Sequence, residues 1–229
     1  VPTALRCAEA GLHIHMDKPA GIDLSLYRTF LDVMREKHLV FQTGYMYRYN
    51  AGVRYVLERV RDGALGRIYN ITAEMCTKHP DWFERQLIGY GVKAPVMYIF
   101  GGHIIDFILR LMGEPKRVEP LLFRTGAGGF GGIDNATALL HYDRGVSVAR
   151  TSAVETGGWL RRELAVVGEK GTVSITPFER PTVKWVSIQN GQEGYYDKEV
   201  ETRTLTFRTD YDRYDAFPEE FYARLCGAP

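Results

Sequence analysis

Three short stretches of the sequence carry side chains that could do chemistry. The first is GLHIHMDKPAG, in which alternating apolar and polar residues predict a strand. Asp17, Lys18 and Pro19 follow where that strand is expected to end. A lysine at the carboxyl end of a parallel strand stands at the edge where open α/β sheets bind their ligands. A solvated lysine before a turn proline is the commoner arrangement, and composition alone favours it.

The other two stretches combine aromatic, basic and acidic groups. TGYMYRYN places Tyr45 and Arg48 at a second strand end, where they could contact a ligand or form an aromatic ledge at a domain boundary. GGHIIDFILR sets His103, Asp106 and Arg110 at spacings of three and four residues, so their side chains share one face of a helix. A histidine and an aspartate one turn apart often only stabilise each other, so the structural interpretation stays open here too.

The elements that would position Lys18 and Tyr45 form a repeated pattern. A helix at 3–10 precedes a strand at 12–16, and a helix in DLSLYRTFLDVMREKH precedes a strand in LVFQTGY. Two consecutive helix–strand units of this kind predict a parallel, doubly wound sheet. A third helix follows in NAGVRYVLERVRDGALG.

The character of the chain changes after Gly66. RIYNITAEMC predicts a strand and FGGHIIDFILRLMG a helix, and strands dominate from about Val118 until a helix at Phe217 to Cys226. The predicted fold class is therefore α/β plus α+β. We expect the end of a parallel sheet over 1–44, and an α+β domain with an antiparallel or largely antiparallel meander of strands over 45–229.

Composition limits the classes of partner. The 29 basic and 28 acidic residues nearly cancel, so nothing indicates binding to nucleic acid or to an anionic membrane. The three cysteines, Cys7, Cys76 and Cys226, are far apart and predict neither disulfides nor a metal site, which favours a reducing cytoplasm.

The glycine cluster GAGGFGG at 126–132 formally contains the pattern G-x-G-x-x-G. A dinucleotide site needs a strand before that pattern and a helix directly after it, whereas the following IDNATALLHY is strand-like. We therefore predict a loop between two strands.

Taken together, the three stretches resemble one family. AGLHIHMDKPAG resembles the segment "aGkHVl-EKP" of the Gfo/Idh/MocA oxidoreductases, which are named for glucose-fructose oxidoreductase and inositol dehydrogenase. FQTGYMYRYN with VRDGALGRI, and GGHIIDFILRLMGEP, resemble later segments of that family in the same order. The resemblance is continuous from Val1 to roughly Pro115, and VVGEKGTVSI extends it into the later strands.

The resemblance implies an oxidoreductase that uses NAD or NADP and acts on a sugar, a polyol or a related small carbonyl compound. Family members have a dinucleotide-binding Rossmann domain, whose C-terminal portion is matched by residues 1–44, and an α+β domain for substrate binding and oligomerisation, matched by residues 45–229. The large open sheet of that second domain commonly packs against a second subunit, so a homodimer or homotetramer is expected. The family lysine is matched by Lys18, which would donate a hydrogen bond to the substrate oxygen. The family's helix histidine is matched by His103, the candidate base.

The same resemblance gives supporting roles to other residues. Asp106 would contact the substrate or hold the histidine ring, and Tyr45 and Arg48 would bind substrate hydroxyls. Asp17, Lys18 and Pro19 would contact the cofactor. In relatives this proline shapes the cofactor wall, which raises the expected frequency of a cis Lys18–Pro19 bond from about one in twenty to about one in two.

Two departures from the family pattern bear on activity. Ile99 stands four positions before His103, where the family often has an acidic residue, and Asp17 replaces the usual glutamate. A family member should also begin with a strand, a glycine-rich turn and a helix, and none of these precedes Val1. We therefore expect further residues upstream in the gene product, and a short tail beyond the last helix. These 229 residues alone are expected to bind NAD(P) poorly and to be inactive.

A second hypothesis is a non-catalytic module that binds a ligand or forms oligomers, with the site residues as relics. Ile99 and the absent glycine turn favour it. A third is lyase or glycosidase chemistry, for which some relatives use the nicotinamide transiently.

Overall fold

A computed structural model of the chain describes residues 1–188, 200–207 and 214–227. The chain divides into two compact units, one formed by Val1–Tyr49 and Asp212–Pro229 and the other by Asn50–Tyr211. Within the described residues, no helix combines the length and the apolar character that crossing a membrane requires. The domain boundary that the sequence predicts between residues 44 and 45 stays a prediction.

Helices and strands alternate in the first part of the chain, and strands dominate later. The α-helices of the described residues are α1 (Pro2–Glu9), α2 (Leu24–Glu36), α3 (Ala51–Arg61), α4 (Asp81–Gly89), α5 (Gly102–Met112) and α6 (Ala216–Leu225). The strands are β1 (Ile14–Met16), β2 (Phe41–Thr43), β3 (Ile68–Cys76), β4 (Arg117–Phe123), β5 (Asn135–Tyr142), β6 (Gly145–Ser152), β7 (Glu163–Gly168), β8 (Gly171–Thr176), β9 (Thr182–Ile188) and β10 (Val200–Thr206). Turns of 3₁₀-helix span Met46–Tyr49 and Gly158–Arg161, and a π-helical turn, Met97–Gly101, leads directly into α5.

The first unit is built on two short parallel strands. β1 and β2 pair from Ile14 opposite Phe41 onward, in the arrangement expected of consecutive helix–strand units. The fully buried Phe30 of α2 packs edge-to-face on Phe41, with ring centroids 4.9 Å apart. Asp23 begins α2 by accepting a hydrogen bond from the backbone N–H of Leu26 at 2.9 Å.

The second unit is built on an eight-stranded sheet with the order β10-β9-β8-β7-β3-β6-β5-β4. Its pairs of described strands are antiparallel except for β3 with β6, which run parallel. β3 lies between the hairpins β5–β6 and β7–β8, which follow α4 and α5 in the chain. The mostly antiparallel sheet predicted from the sequence is confirmed, with one parallel pair inside it.

One face of this sheet carries the core. Ile71, Ala73 and Met75 alternate along β3 and are fully buried on the side that α3 and α5 cover. α5 adds Phe107, whose ring lies edge-on to Phe178 with centroids 5.8 Å apart. The core therefore fixes the helix that carries His103 against the sheet.

The opposite face of the sheet is only partly buried. One row across it consists of paired residues on five neighbouring strands, which are Ala165, Thr72, Val148, Leu139 and Glu119. All five side chains are half-buried. Within the described residues, the side chains of this row therefore stay partly exposed.

Several details of the local structure differ from the sequence predictions. The strand predicted in LVFQTGY ends at Thr43, because residues 46–49 turn into a 3₁₀-helix, and the strand predicted from residue 12 begins at Ile14. α4 was not predicted, and it begins after Pro80 without a side-chain cap. The glycine cluster at 126–132 lies between β4 and β5, which confirms the predicted loop. The outermost predicted strand residues 189, 199 and 208 lie outside the described residues.

Candidate functional site

The end of β1 positions Asp17, Lys18 and Pro19 within a tight turn. Asp17 Oδ1 accepts a hydrogen bond from the backbone N–H of Lys18 at 2.8 Å, so its carboxylate shapes the turn. The Lys18–Pro19 peptide bond is cis. Gly44, which follows β2, approaches so closely that a Cβ there would lie 2.6 Å from Asp17 Oδ1. Lys18 itself is half-buried beyond this turn, and contacts of the three residues with a cofactor stay a prediction.

Tyr45 and Arg48 lie together at the end of β2. The guanidinium carbon of Arg48 stands 4.8 Å from the centroid of the Tyr45 ring, which is cation–π geometry. Both side chains are half-buried. The stacked pair offers a guanidinium and a phenol, the donor types that suit substrate hydroxyls, and this role stays a prediction.

Beneath these strand ends runs a hydrogen-bonded network that sequence reasoning missed. His15 Nδ1 donates to Gln42 Oε1 at 2.7 Å, and Gln42 Nε2 donates to the Tyr49 hydroxyl at 3.1 Å. That hydroxyl donates in turn to the Glu220 carboxylate of α6, which also pairs with Arg224. The network joins β1, β2 and α6. Its sequence signal was the polar Gln42 inside a predicted strand, but the partner residue 171 positions from Tyr49 has no local signature.

Burial and hydrogen bonding shift the acidities within this network. Burial, together with the adjacent Glu220 carboxylate, raises the pKa of the Tyr49 hydroxyl. Burial by itself raises the pKa of Glu220, but the hydrogen bonds from Tyr49 and Arg224 outweigh it and hold that pKa below its ordinary value. Glu220 is therefore anionic and Tyr49 protonated across the neutral range.

In the second unit, His103 lies in the first turn of α5 and is 1% exposed. Asp106 and Arg110 follow on the same helix, and Asp106 Oδ2 lies 3.1 Å from Arg110 Nε. The carboxylate is thus engaged by the arginine one turn further along. Ile99 falls in the π-helical turn before α5, so the position that relatives often fill with an acid carries an aliphatic side chain. The catalytic role of His103 and the substrate role of Asp106 stay predictions.

A second histidine, which sequence reasoning did not single out, lies next to that π-helical turn. His79 Nδ1 is 2.5 Å from Glu84 Oε1, and the Glu84 side chain is fully buried. The His79 ring packs against Phe83 and Phe100, with centroids 5.0 and 5.1 Å away. His79 and Glu84 are five residues apart, and this spacing alone does not predict a contact. Whether the two side chains meet depends on how the chain enters α4.

The glycine cluster fails as a pyrophosphate site on its geometry. The carbonyl of Gly129 accepts a hydrogen bond from the Arg85 guanidinium, and a Cβ on Gly129 would lie 2.2 Å from Asp81 Oδ2. The loop is packed against α4 beside a carboxylate, and β5 follows it. Contact of Lys18 and Pro19 with a nicotinamide cofactor stays a prediction, and the described glycine cluster does not supply a phosphate-binding turn.

A separate cleft of about 660 Å³ lies at the far end of α5 from His103. Its charged lining residues are Arg61, Arg67, Arg110, Glu114, Lys116, Asp143 and Arg144. Salt bridges pair three of the cations, namely Arg67 with Glu169, Arg110 with Asp106, and Lys116 with Asp143. None of the predicted catalytic residues lines this cleft.

The model of the GFO/IDH/MocA C-terminal domain matches residues 53–174, which is more than half of the chain. The chain belongs to the Gfo/Idh/MocA family. Among curated relatives, the levoglucosan dehydrogenase of Pseudarthrobacter phenanthrenivorans is 26% identical over 130 residues, which cover 52% of this chain and 32% of that protein. The D-glucoside 3-dehydrogenase of Escherichia coli is 28% identical over 187 residues, which cover 75% of this chain and 51% of that protein.

Solved structures of other proteins share the fold. An inositol dehydrogenase homologue from Azotobacter vinelandii, in complex with NADH and myo-inositol, aligns with 90% of this chain and 52% of its own at a TM-score of 0.71 and 18% identity. The α/β plus α+β fold class is confirmed. The chain spans about a third of the length of the first of these curated relatives and about half of the second.

Proposed function

We propose that this chain is the substrate-binding portion, with part of the cofactor domain, of an NAD- or NADP-dependent oxidoreductase that acts on a sugar or polyol. Membership of the Gfo/Idh/MocA family is the observation that carries the proposal. The relatives' names support the substrate class, because they are dehydrogenases of levoglucosan and of D-glucosides. The cofactor is proposed by analogy with the NADH-bound neighbour.

The proposed chemistry gives a role to each of the predicted site residues. When bound, the nicotinamide would accept a hydride from the substrate carbon. Lys18 would donate a hydrogen bond to the oxygen on that carbon and stabilise the charge that develops there. An imidazole suits the released proton, because its ordinary pKa lies near neutrality. His103 is the predicted base, and Asp106, Tyr45 and Arg48 are the proposed substrate contacts.

The open sheet face supports a second proposal, that the protein forms homodimers or homotetramers through it. Its central row holds Val148 and Ala165, and Arg150 lies between Glu74 at 2.7 Å and Glu155 at 2.9 Å on the same face. A face of small apolar side chains and internally paired charges is suited to burial. Sedimentation of the wild type and of Val148→Asp measures the oligomeric state. A monomeric wild type would contradict the proposed homodimer or homotetramer.

A non-catalytic ligand-binding or oligomerisation module is the second candidate function, and the aliphatic Ile99 favours it. Nicotinamide reduction separates the two candidates. The full-length protein is assayed with levoglucosan, a D-glucoside and myo-inositol, each with NAD⁺ and with NADP⁺. Reduction with one of them supports the oxidoreductase, and tight sugar binding without reduction supports the module. The 229 residues alone are expected to show neither tight cofactor binding nor turnover.

A further inference from the structure

The cleft at the far end of α5 is a basic cavity that the proposed function leaves unused. It lies entirely within the second unit, where its lining comes from the carboxyl ends of α3 and α5, the start of β3 and the turn between β5 and β6. Five of its lining residues are basic and two are acidic. The electric field of such a cleft concentrates anions, so an anion is the class of ligand that it favours.

Two of the five cations have no acidic partner among the described residues. Arg61 is the last residue of α3 and Arg144 lies in the β5–β6 turn, and both residues are exposed. Neither takes part in a salt bridge with a described carboxylate. A guanidinium presents its N–H donors in a planar fork that matches two oxygens of a phosphate or carboxylate. These two arginines are therefore the groups most available to bind an anion.

Two other cations of the cleft are held only by exposed salt bridges. Arg67 pairs with Glu169 at 2.7 Å, and both side chains are about half exposed. Lys116 pairs with Asp143, and both of these side chains are exposed. Exposed ion pairs contribute little to stability, so both cations can turn toward a ligand at a small cost in free energy. The cleft can thus oppose a doubly charged group with more than two cations.

Part of the lining is apolar. Val60 is 8% exposed, and Ile68 and Leu111 are half-buried. Tyr142 also lines the cleft, and its hydroxyl donates to the carbonyl of Gly113 at 3.1 Å, which orients the ring. Sites for small organic ligands combine apolar lining with a few polar groups. The volume of about 660 Å³ is in their usual range of ~300–1,000 Å³, so the ligand should carry an apolar or aromatic group beside its anionic one.

We infer that this cleft binds a phosphorylated small molecule that carries an apolar or aromatic group, and that Arg61 and Arg144 bind its phosphate. A phosphate monoester is a dianion near neutral pH, which suits several cations better than the single charge of a carboxylate does. Glu114 lines the same cleft without a basic partner among the described residues, so it repels such a ligand. None of the predicted catalytic residues is needed, and the inference is independent of the proposed function.

A structural role for these arginines is the alternative, because cations near the carboxyl end of a helix stabilise its dipole. Arg59 and Arg61 both lie in the last turn of α3, but only Arg61 lines the cleft. A role at the helix end predicts that both substitutions act alike and that neither changes ligand binding. A role in the cleft predicts that Arg61 alone affects binding.

Calorimetric titration of the 229-residue chain with phenyl phosphate at about pH 8, where the phosphate is a dianion, tests the inference. We expect one molecule to bind per chain, at least about tenfold more tightly than inorganic phosphate, phenol or benzoate. Arg61→Ala and Arg144→Ala should each weaken binding by about tenfold, because each removes a charge-assisted hydrogen bond. Arg59→Ala is the matched control and should bind like the wild type.

Two further variants exclude a damaged fold and a different site. Glu114→Gln should bind phenyl phosphate about two- to fivefold more tightly, because a repelling charge is lost, and a damaged fold cannot produce a gain in affinity. Lys18→Met should leave binding unchanged, since Lys18 does not line the cleft.

Absence of binding at millimolar phenyl phosphate would overturn the inference, as would equal affinities of the Arg59, Arg61 and Arg144 variants, a Glu114→Gln variant without a gain, or a loss of binding in Lys18→Met. Inorganic phosphate or benzoate that binds as tightly as phenyl phosphate would also contradict the assigned ligand class. Each of these results leaves the proposed oxidoreductase untouched, because nicotinamide reduction is not measured.

Discussion

Replacing Tyr49 by phenylalanine removes the centre of the network between the strand ends and α6. The hydroxyl donates to the Glu220 carboxylate and accepts from Gln42 Nε2, and its residue is 9% exposed. The phenylalanine ring fills the same space, so the loss is confined to hydrogen bonds. A hydrogen bond to a charged group contributes about 1.5–3 kcal/mol. We expect the free energy of unfolding to fall by about 2 kcal/mol, because Glu220 retains Arg224 at 2.9 Å.

Urea unfolding followed by circular dichroism measures this change, with calorimetry to show whether the two units unfold together. Tyr222→Phe is the matched control, since Tyr222 lies on the same helix and is 69% exposed. It should change the free energy of unfolding by less than about 0.5 kcal/mol. If Tyr49→Phe is as stable as Tyr222→Phe, the network does not hold the first unit together.

The acid dependence of stability gives the same prediction a second measurement. The folded chain lowers the pKa of Glu220 below its ordinary value of 4.5 through the hydrogen bonds from Tyr49 and Arg224. A lowered pKa means that this stabilisation is fully present above the ordinary value and is lost as the pH falls through the folded value. Tyr49→Phe removes one of the two causes. The difference in stability between wild type and variant should therefore shrink below about pH 4, and a constant difference would contradict the assignment.

Three further predictions follow from packing and burial. Burial raises the pKa of the Cys76 thiol to about 12, so an alkylating reagent at about pH 8 should label the exposed Cys226 and leave Cys76 unreacted until the chain unfolds, as peptide mass analysis would show. Gly44→Ala should cost about 1–3 kcal/mol in urea unfolding because its Cβ has no room, whereas Gly89→Ala in α4 meets nothing within 4 Å and should be neutral or stabilising. Phe107→Ala should lower stability by about 3–5 kcal/mol, because the ring is 1% exposed in the core, and a loss below about 1 kcal/mol in calorimetry would contradict that packing.

Helix caps, helical spacing of apolar residues and turn residues lie within short stretches of sequence, and the elements that depend on them were predicted. Asp23 caps α2 and Phe30 lies on its buried face, and Asn50 caps α3 through its side chain, so the sequence was sufficient for both helices. The change from parallel to mostly antiparallel pairing was also predicted, because turn residues separate the later strands. α4 was missed because it has no side-chain cap.

Features that depend on distant parts of the chain could not be predicted in this way. β3 pairs with β6 across more than 70 residues, and no short window contains both strands. The partners of Tyr49 and the pairing of His79 with Glu84 likewise depend on how separate elements meet. Lys18 and His103 were found because they lie in motifs that resemble a family, whereas His79 lies outside the motifs that carry the resemblance. Residue type and spacing therefore identified one set of candidate groups, and the tertiary structure added a second.

Nicotinamide reduction by the full-length protein tests the central claim most directly. The wild type and Lys18→Met are compared with the sugar and polyol panel, and both are checked for equal thermal stability. We predict that the wild type reduces NAD⁺ or NADP⁺ with at least one substrate and that Lys18→Met lowers kcat by about 100-fold or more, because a donor to the reacting oxygen is lost. A folded full-length protein that binds a sugar and reduces neither cofactor, or a Lys18→Met variant with wild-type turnover, would contradict the account.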